Sequence, residues 1–127
     1  MTYTITLTEE QMRVTEAALE EYFRLRMGQD AEFCDDIASM NVDFSPENPK
    51  HDKIFDDYIN RRDHMRIVML AFFRIAFGAW CSPKEKTADM MIAECIWDAI
   101  RFARGHSRWN QPFAIGSEQV PKIVKEE

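Results

Sequence analysis

Residues 2–11 read "TYTITLTEEQ", and the reading of this stretch decides the fold class. Tyr3, Ile5 and Leu7 alternate with Thr2, Thr4 and Thr6, the period-two pattern of a strand with one buried face. Thr8 and Gln11 then make a capping box, and Glu9 and Glu10 suit the positive end of a helix dipole. The stretch therefore predicts a short strand running directly into a helix over about 9–27, stopped by Gly28.

Working outward, "AEFCDDIASM" (31–40) fits a short helix, and "NVDFSPENPKH" (41–51) reads as loop because it holds two prolines and two asparagines. A long helix is predicted over about 51–77, ended by Gly78. Its first half is amphipathic. Its second half, "MRIVMLAFFRIAF" (65–77), is apolar nearly all round, which assigns it to the core or to a subunit contact. Thr87 caps a helix over about 88–104, with Ile92, Ile96, Ala99 and Ala103 on one side and Gly105 as its stop. The tail "QPFAIGSEQVPKIV" (111–124) alternates weakly and suits an edge strand beside residues 2–8. The expected architecture is α+β and mainly helical. Three principal helices accompany a small β-sheet of the N-terminal strand and the C-terminal tail, in a single domain, 1–127.

Bulk chemistry excludes several classes. A net charge of −6 argues against DNA or RNA wrapping. The run "IVMLAFF" (67–73) is too short to span a bilayer, and "MTYTITLTEE" lacks the basic start and apolar stretch of a signal peptide, so a cytoplasmic protein is expected. Cys34, Cys81 and Cys95 are odd in number and widely spaced, which fits free thiols. His51, His64 and His106 show no metal-ligand spacing, so no metal or other cofactor is expected. With no G-x-S-x-G, no glycine-rich phosphate loop and no cysteine-nucleophile signature, an enzyme is disfavoured.

Two features carry possible chemistry. Arg74, inside the apolar run, needs a partner if it is buried, and Glu94 or Asp98 is the expected one. The stretch "ARGHSRWNQPFAIGSE" (103–118) gathers Arg104, His106, Arg108 and Trp109. Helix C-capping accounts for Arg104 but not for Arg108 and Trp109. A turn after Gly105 would let both guanidiniums converge on one anion. Both readings stand on the residues alone.

The segments "ITLTEEQ" (5–11), "YFRLRMGQ" (22–29), "ECIWDAIRFARGHSRW" (94–109) and "IGSE…PKI" (115–123) together resemble the phage-encoded Thoeris anti-defence sponge family of the first type. The resemblance implies a protein that sequesters cyclic ADP-ribose isomers without degrading them, acting as a homodimer or larger assembly in the infected bacterial cytoplasm. Some members also take up cyclic oligonucleotides at a separate site. By this resemblance Arg104 and Arg108 hold the diphosphate and Phe77 stacks on adenine. Thr87 adds a polar group, Lys53 or His51 supplies a cation, and His106, Ser107 and Trp109 complete the rim. Thr87 and Arg104 lie 17 residues apart on one helix, roughly 25 Å, and Phe77 falls at the Thr87 end. A shared site is therefore expected to be built from two antiparallel copies, the arginines of one facing Phe77 and Thr87 of the other. The rival expectation is a small acidic phage protein that inhibits a host protein by direct binding.

Overall fold

A computed structural model of the chain describes residues 1–106, 115 and 119–126. It is built of four helices in the order α1 (Glu9–Arg26), α2 (Ala31–Ser39), α3 (His51–Phe77) and α4 (Ala88–Ala103). No strand occurs among the described residues. The expected α+β fold with three helices is thus overturned, and the protein is all-helical over the described residues. The N-terminal alternation fails for a physical reason. A strand satisfies its backbone only against a neighbour. Residues 2–8 have none among the described residues, and Tyr3 and Ile5 stand 84% and 75% exposed. Residues 119–126 are not a strand either. The backbone oxygen of Gln119 instead accepts from the Cys95 thiol of α4, at 3.6 Å.

The helix ends follow the sequence closely. Thr8 and Gln11 form the predicted capping box: the Thr8 amide donates to Gln11 Oε1 at 2.9 Å and the Gln11 amide to Thr8 Oγ1 at 3.2 Å. After α1, the amides of Gly28 and Gln29 donate to the carbonyls of Leu25 and Arg24, closing a Schellman turn. Gly28 has φ +78°, and a Cβ there would lie 2.0 Å from the Cys81 carbonyl oxygen, so the two backbones meet at a place only glycine fits.

The chain forms two compact units, residues 1–23 with 85–127, and residues 24–84. In the first, Phe23, Met90, Ala93, Cys95, Ala99 and Ile100 are buried. Phe23 meets Trp97 edge to face at 5.2 Å, and the Arg101 guanidinium lies 4.6 Å from the Trp97 ring centre. In the second, α2 packs on α3, and Cys34, Ala38, Tyr58 and Phe73 are buried. Polar groups fasten this seam. Tyr58 donates to Asp35, Arg61 donates to the Ala38 carbonyl at 3.1 Å, and Arg66 stands 3.8 Å from Asp30. Phe44, from the loop, packs edge-on against Tyr58 at 5.1 Å.

The second half of α3 is not wholly core. Its outward side is open in a single copy: Ile67, Val68 and Ile75 are 64%, 66% and 88% exposed. Arg74 is exposed too and forms no ion pair with a described residue, while Glu94 takes Lys86 at 2.7 Å. The partner expected for Arg74 is unnecessary because solvent hydrates it. No helix among the described residues is long and apolar enough to cross a membrane.

Two outcomes follow. Gly28→Ala destabilises the fold by more than the ~1–2 kcal/mol of the left-handed backbone alone. Gly105→Ala, whose Cβ meets nothing within 4 Å, loses only that conformational part. Urea unfolding of both variants separates the two effects. Burial, with a hydrogen bond to Asp30, pushes the Cys34 thiol up to about 11. Because the folded value lies above the ordinary thiol value of 9.0, this contribution is complete below about pH 9 and is lost as pH rises toward 11. At pH 8, Ellman titration of the native protein therefore leaves Cys34 unreacted, while the half-exposed Cys81 reacts.

Candidate functional site

The turn that ends α4 is the best-built cluster of charge among the described residues. Its geometry starts with the backbone. The amides of Gly105 and His106 donate to the carbonyls of Phe102 and Arg101 at 3.1 and 2.8 Å, a second Schellman turn with Gly105 at φ +74°. This turn sets Arg104 and His106 side by side, facing the first two turns of α1. Arg104 Nε donates to Glu9 Oε1 at 2.8 Å, and its Nη1 donates to Glu16 Oε2. His106 Nδ1 lies 3.4 Å from the other Glu16 oxygen. The Arg104 and Glu16 side chains are only 11% and 14% exposed, whereas Glu9 is 70% exposed. The hydrogen bond to Glu9 is the largest influence holding the Arg104 guanidinium in its charged form, and Glu16 adds to it.

Glu9 and Glu16 are the residues that sequence reasoning missed. Residue type alone would place Glu16, one of several acids on α1, at solvent. The signal was available in the spacing: positions seven apart share a helix face, so Glu9 and Glu16 make one acidic strip. Only the fold reveals that the strip meets Arg104.

The other expected site residues are dispersed. Thr87 caps α4, its hydroxyl oxygen accepting from the Met90 amide at 3.3 Å. It and Arg104 stand at opposite ends of that helix. Phe77, half-buried at the end of α3, stacks on Phe73 with ring centres 6.1 Å apart and planes 16° apart. Lys53 is at the start of the same helix, 79% exposed and 3.7 Å from Asp57. Along α3 these two are 24 residues apart, roughly 36 Å at ~1.5 Å per residue. His51 stacks on Phe55, and its Nδ1 has no hydrogen-bond partner. Ser107, Arg108 and Trp109 lie outside the described residues.

Two concave surfaces accompany this cluster. In the first unit an open apolar hollow is lined by Leu19, Tyr22, Ile92, Ala93 and Ile96, with Asp89 at its edge. In the second a polar cleft is lined by Ala31, Glu32, Asp35, Arg62 and Arg66. The cleft's charges are already engaged: Arg62 lies 3.9 Å from Asp35, Arg66 3.8 Å from Asp30 and Glu32 3.9 Å from Arg24. No group of three residues suited to hold a metal occurs among the described residues. Compared with protein-family models, curated proteins and solved structures, the chain matches none.

Removing Arg104 leaves the Glu16 carboxylate largely buried beside His106 alone, whereas Arg13 pairs with Glu10 in open solvent. Arg104→Ala is therefore expected to lower the melting temperature clearly and Arg13→Ala hardly at all. Adding Glu16→Gln to Arg104→Ala recovers part of the loss, read by thermal unfolding.

Proposed function

We propose that the chain is a non-catalytic sponge that binds cyclic ADP-ribose isomers, or another cyclic adenine nucleotide, and thereby blocks a bacterial anti-phage defence in the cytoplasm of the infected host. The observation that supports this reading most is the convergence of Arg104 and His106 on the carboxylate oxygens of Glu16. A phosphate oxygen makes the same demand on a guanidinium as a carboxylate oxygen does. Binding is then an exchange, in which a diphosphate displaces Glu9 and competes with Glu16 for Arg104. Ser107, Arg108 and Trp109 follow immediately in sequence and extend the set of ligand groups.

The spread of the remaining residues supports a site shared between copies. Thr87 and Arg104 are separated by most of α4, and Lys53 and Phe77 by most of α3. One nucleotide bridges neither pair within a single copy. In a homodimer or larger assembly, Arg104 and Arg108 of one copy face Phe77 and Thr87 of another across a two-fold axis. Phe77 has one ring face against Phe73 and offers the other to adenine. The second reading, a small acidic phage protein that inhibits a host protein by direct contact, draws on the net charge of −6 and the exposed apolar side of α3.

Calorimetry with cyclic ADP-ribose decides between the two. The sponge reading expects saturable binding by the wild-type protein. Loss of a charge-assisted contact in Arg108→Ala is expected to weaken that binding by about tenfold or more. It also expects intact ligand to be recovered after the complex is heated. Absence of any binding by the wild-type protein overturns the sponge reading, and recovery of ADP-ribose alone shows hydrolysis instead.

A further inference from the structure

The two carboxylates on Arg104 are held unequally. Glu16 is 14% exposed, and its second oxygen stands 3.4 Å from His106 Nδ1. Glu9 is 70% exposed and holds Arg104 through one hydrogen bond, from Nε to Oε1 at 2.8 Å. It lies in the first turn of α1, where the helix dipole favours a carboxylate whether or not it reaches the arginine. Swinging Glu9 into solvent therefore costs little, whereas withdrawing Glu16 leaves a shielded guanidinium without its shielded partner. The geometry points to Glu9 as a built-in competitor that holds one edge of Arg104, keeps out singly charged anions and yields to anions of two or more charges, such as a diphosphate. The inference rests on the anion reading of the α4 turn given above and adds the residue that sets its selectivity.

The edges of the guanidinium assign the two roles. Its five N–H groups point in fixed directions. Glu9 takes Nε and Glu16 takes Nη1, while Nη2 donates to no described residue. Nε and Nη2 lie side by side on one edge, the fork that grips two oxygens of a single phosphate. Glu9 engages that fork at Nε alone, so it blocks the edge without filling it. When Glu9 swings away, Nε and Nη2 are both open to a ligand and Nη1 remains on Glu16. A phosphate in that place makes two hydrogen bonds where Glu9 makes one.

Charge decides which anions gain by the exchange. One guanidinium stands between two carboxylates, which leaves one negative charge in excess. An anion arriving while Glu9 is in place is repelled, so Glu9 must leave first. Glu9 is tethered to the chain and competes at the millimolar effective concentration of a group on a short link. A singly charged anion replaces like with like and has to exceed that concentration. A doubly charged anion is attracted more strongly to the same guanidinium and displaces Glu9 when far more dilute. The neighbouring Glu10 has no such part, because Arg13 holds it at 2.6 Å in open solvent.

Calorimetric titration of the full chain with two simple probes, inorganic pyrophosphate and the monoanion dimethyl phosphate, tests this. The wild-type protein is expected to bind pyrophosphate and to take up no dimethyl phosphate at millimolar concentration. Glu9→Gln is expected to bind pyrophosphate about tenfold more tightly and to gain millimolar binding of dimethyl phosphate. Its melting temperature stays unchanged, because so exposed a pair adds little stability. Glu10→Gln, the control, leaves both affinities as they were. Equal affinity of the wild type and Glu9→Gln for pyrophosphate overturns the inference and leaves the anion reading of the turn standing. Wild-type protein that binds dimethyl phosphate as tightly as pyrophosphate overturns it in the same way. Failure of both proteins to bind pyrophosphate overturns the inference and the anion reading together.

Discussion

The ion pair between Arg104 and Glu16 governs the unit formed by the two chain termini. It joins the end of α4 to the early turns of α1. Seven residues further along α1, Phe23 meets Trp97, which is seven residues back along α4. These two contacts make the helices antiparallel. A pair so little exposed is retained only where both members are satisfied, because each alone is a desolvated charge. Glu9 and His106 complete the set on either side. The same arrangement gives the cluster its chemical meaning: the most shielded cation of the turn already holds an anion, so any ligand anion must compete with a carboxylate of the protein itself.

In the other unit the governing constraint is length. α3 has 27 residues and α2 has nine, roughly 40 Å against 14 Å at ~1.5 Å per residue. A helix so short covers only part of its neighbour. Tyr58, Arg61, Arg62 and Arg66 serve the contact with α2 and its flanks. On the opposite side α3 is apolar and open from Ile67 to Ile75. Apolar surface of this extent on an acidic protein marks a place where another surface belongs.

The two features divide the functional argument. The α4 turn speaks to anion chemistry, and its nearest sequence neighbours are Ser107, Arg108 and Trp109. The outer stripe of α3 is exposed apolar surface.

The sequence by itself determined where α1 and α4 begin and where α1, α3 and α4 end. Thr8 and Gln11, Thr87, and the glycines at 28, 78 and 105 act through bonds to residues three to five positions away, and such local bonds are legible without a fold. It also made residues 65–77 apolar on every side, which is a pattern of composition. Three things were decided only by tertiary structure. The alternation in residues 2–8 did not become a strand, because pairing requires a partner strand that no local pattern supplies. Glu16 became the shielded partner of Arg104, because an ion pair across 88 residues depends on how two helices are set together. The stripe of Ile67, Ala71 and Ile75 stayed outside, because α2 packs on the opposite side of α3, where Tyr58 and Phe73 are buried.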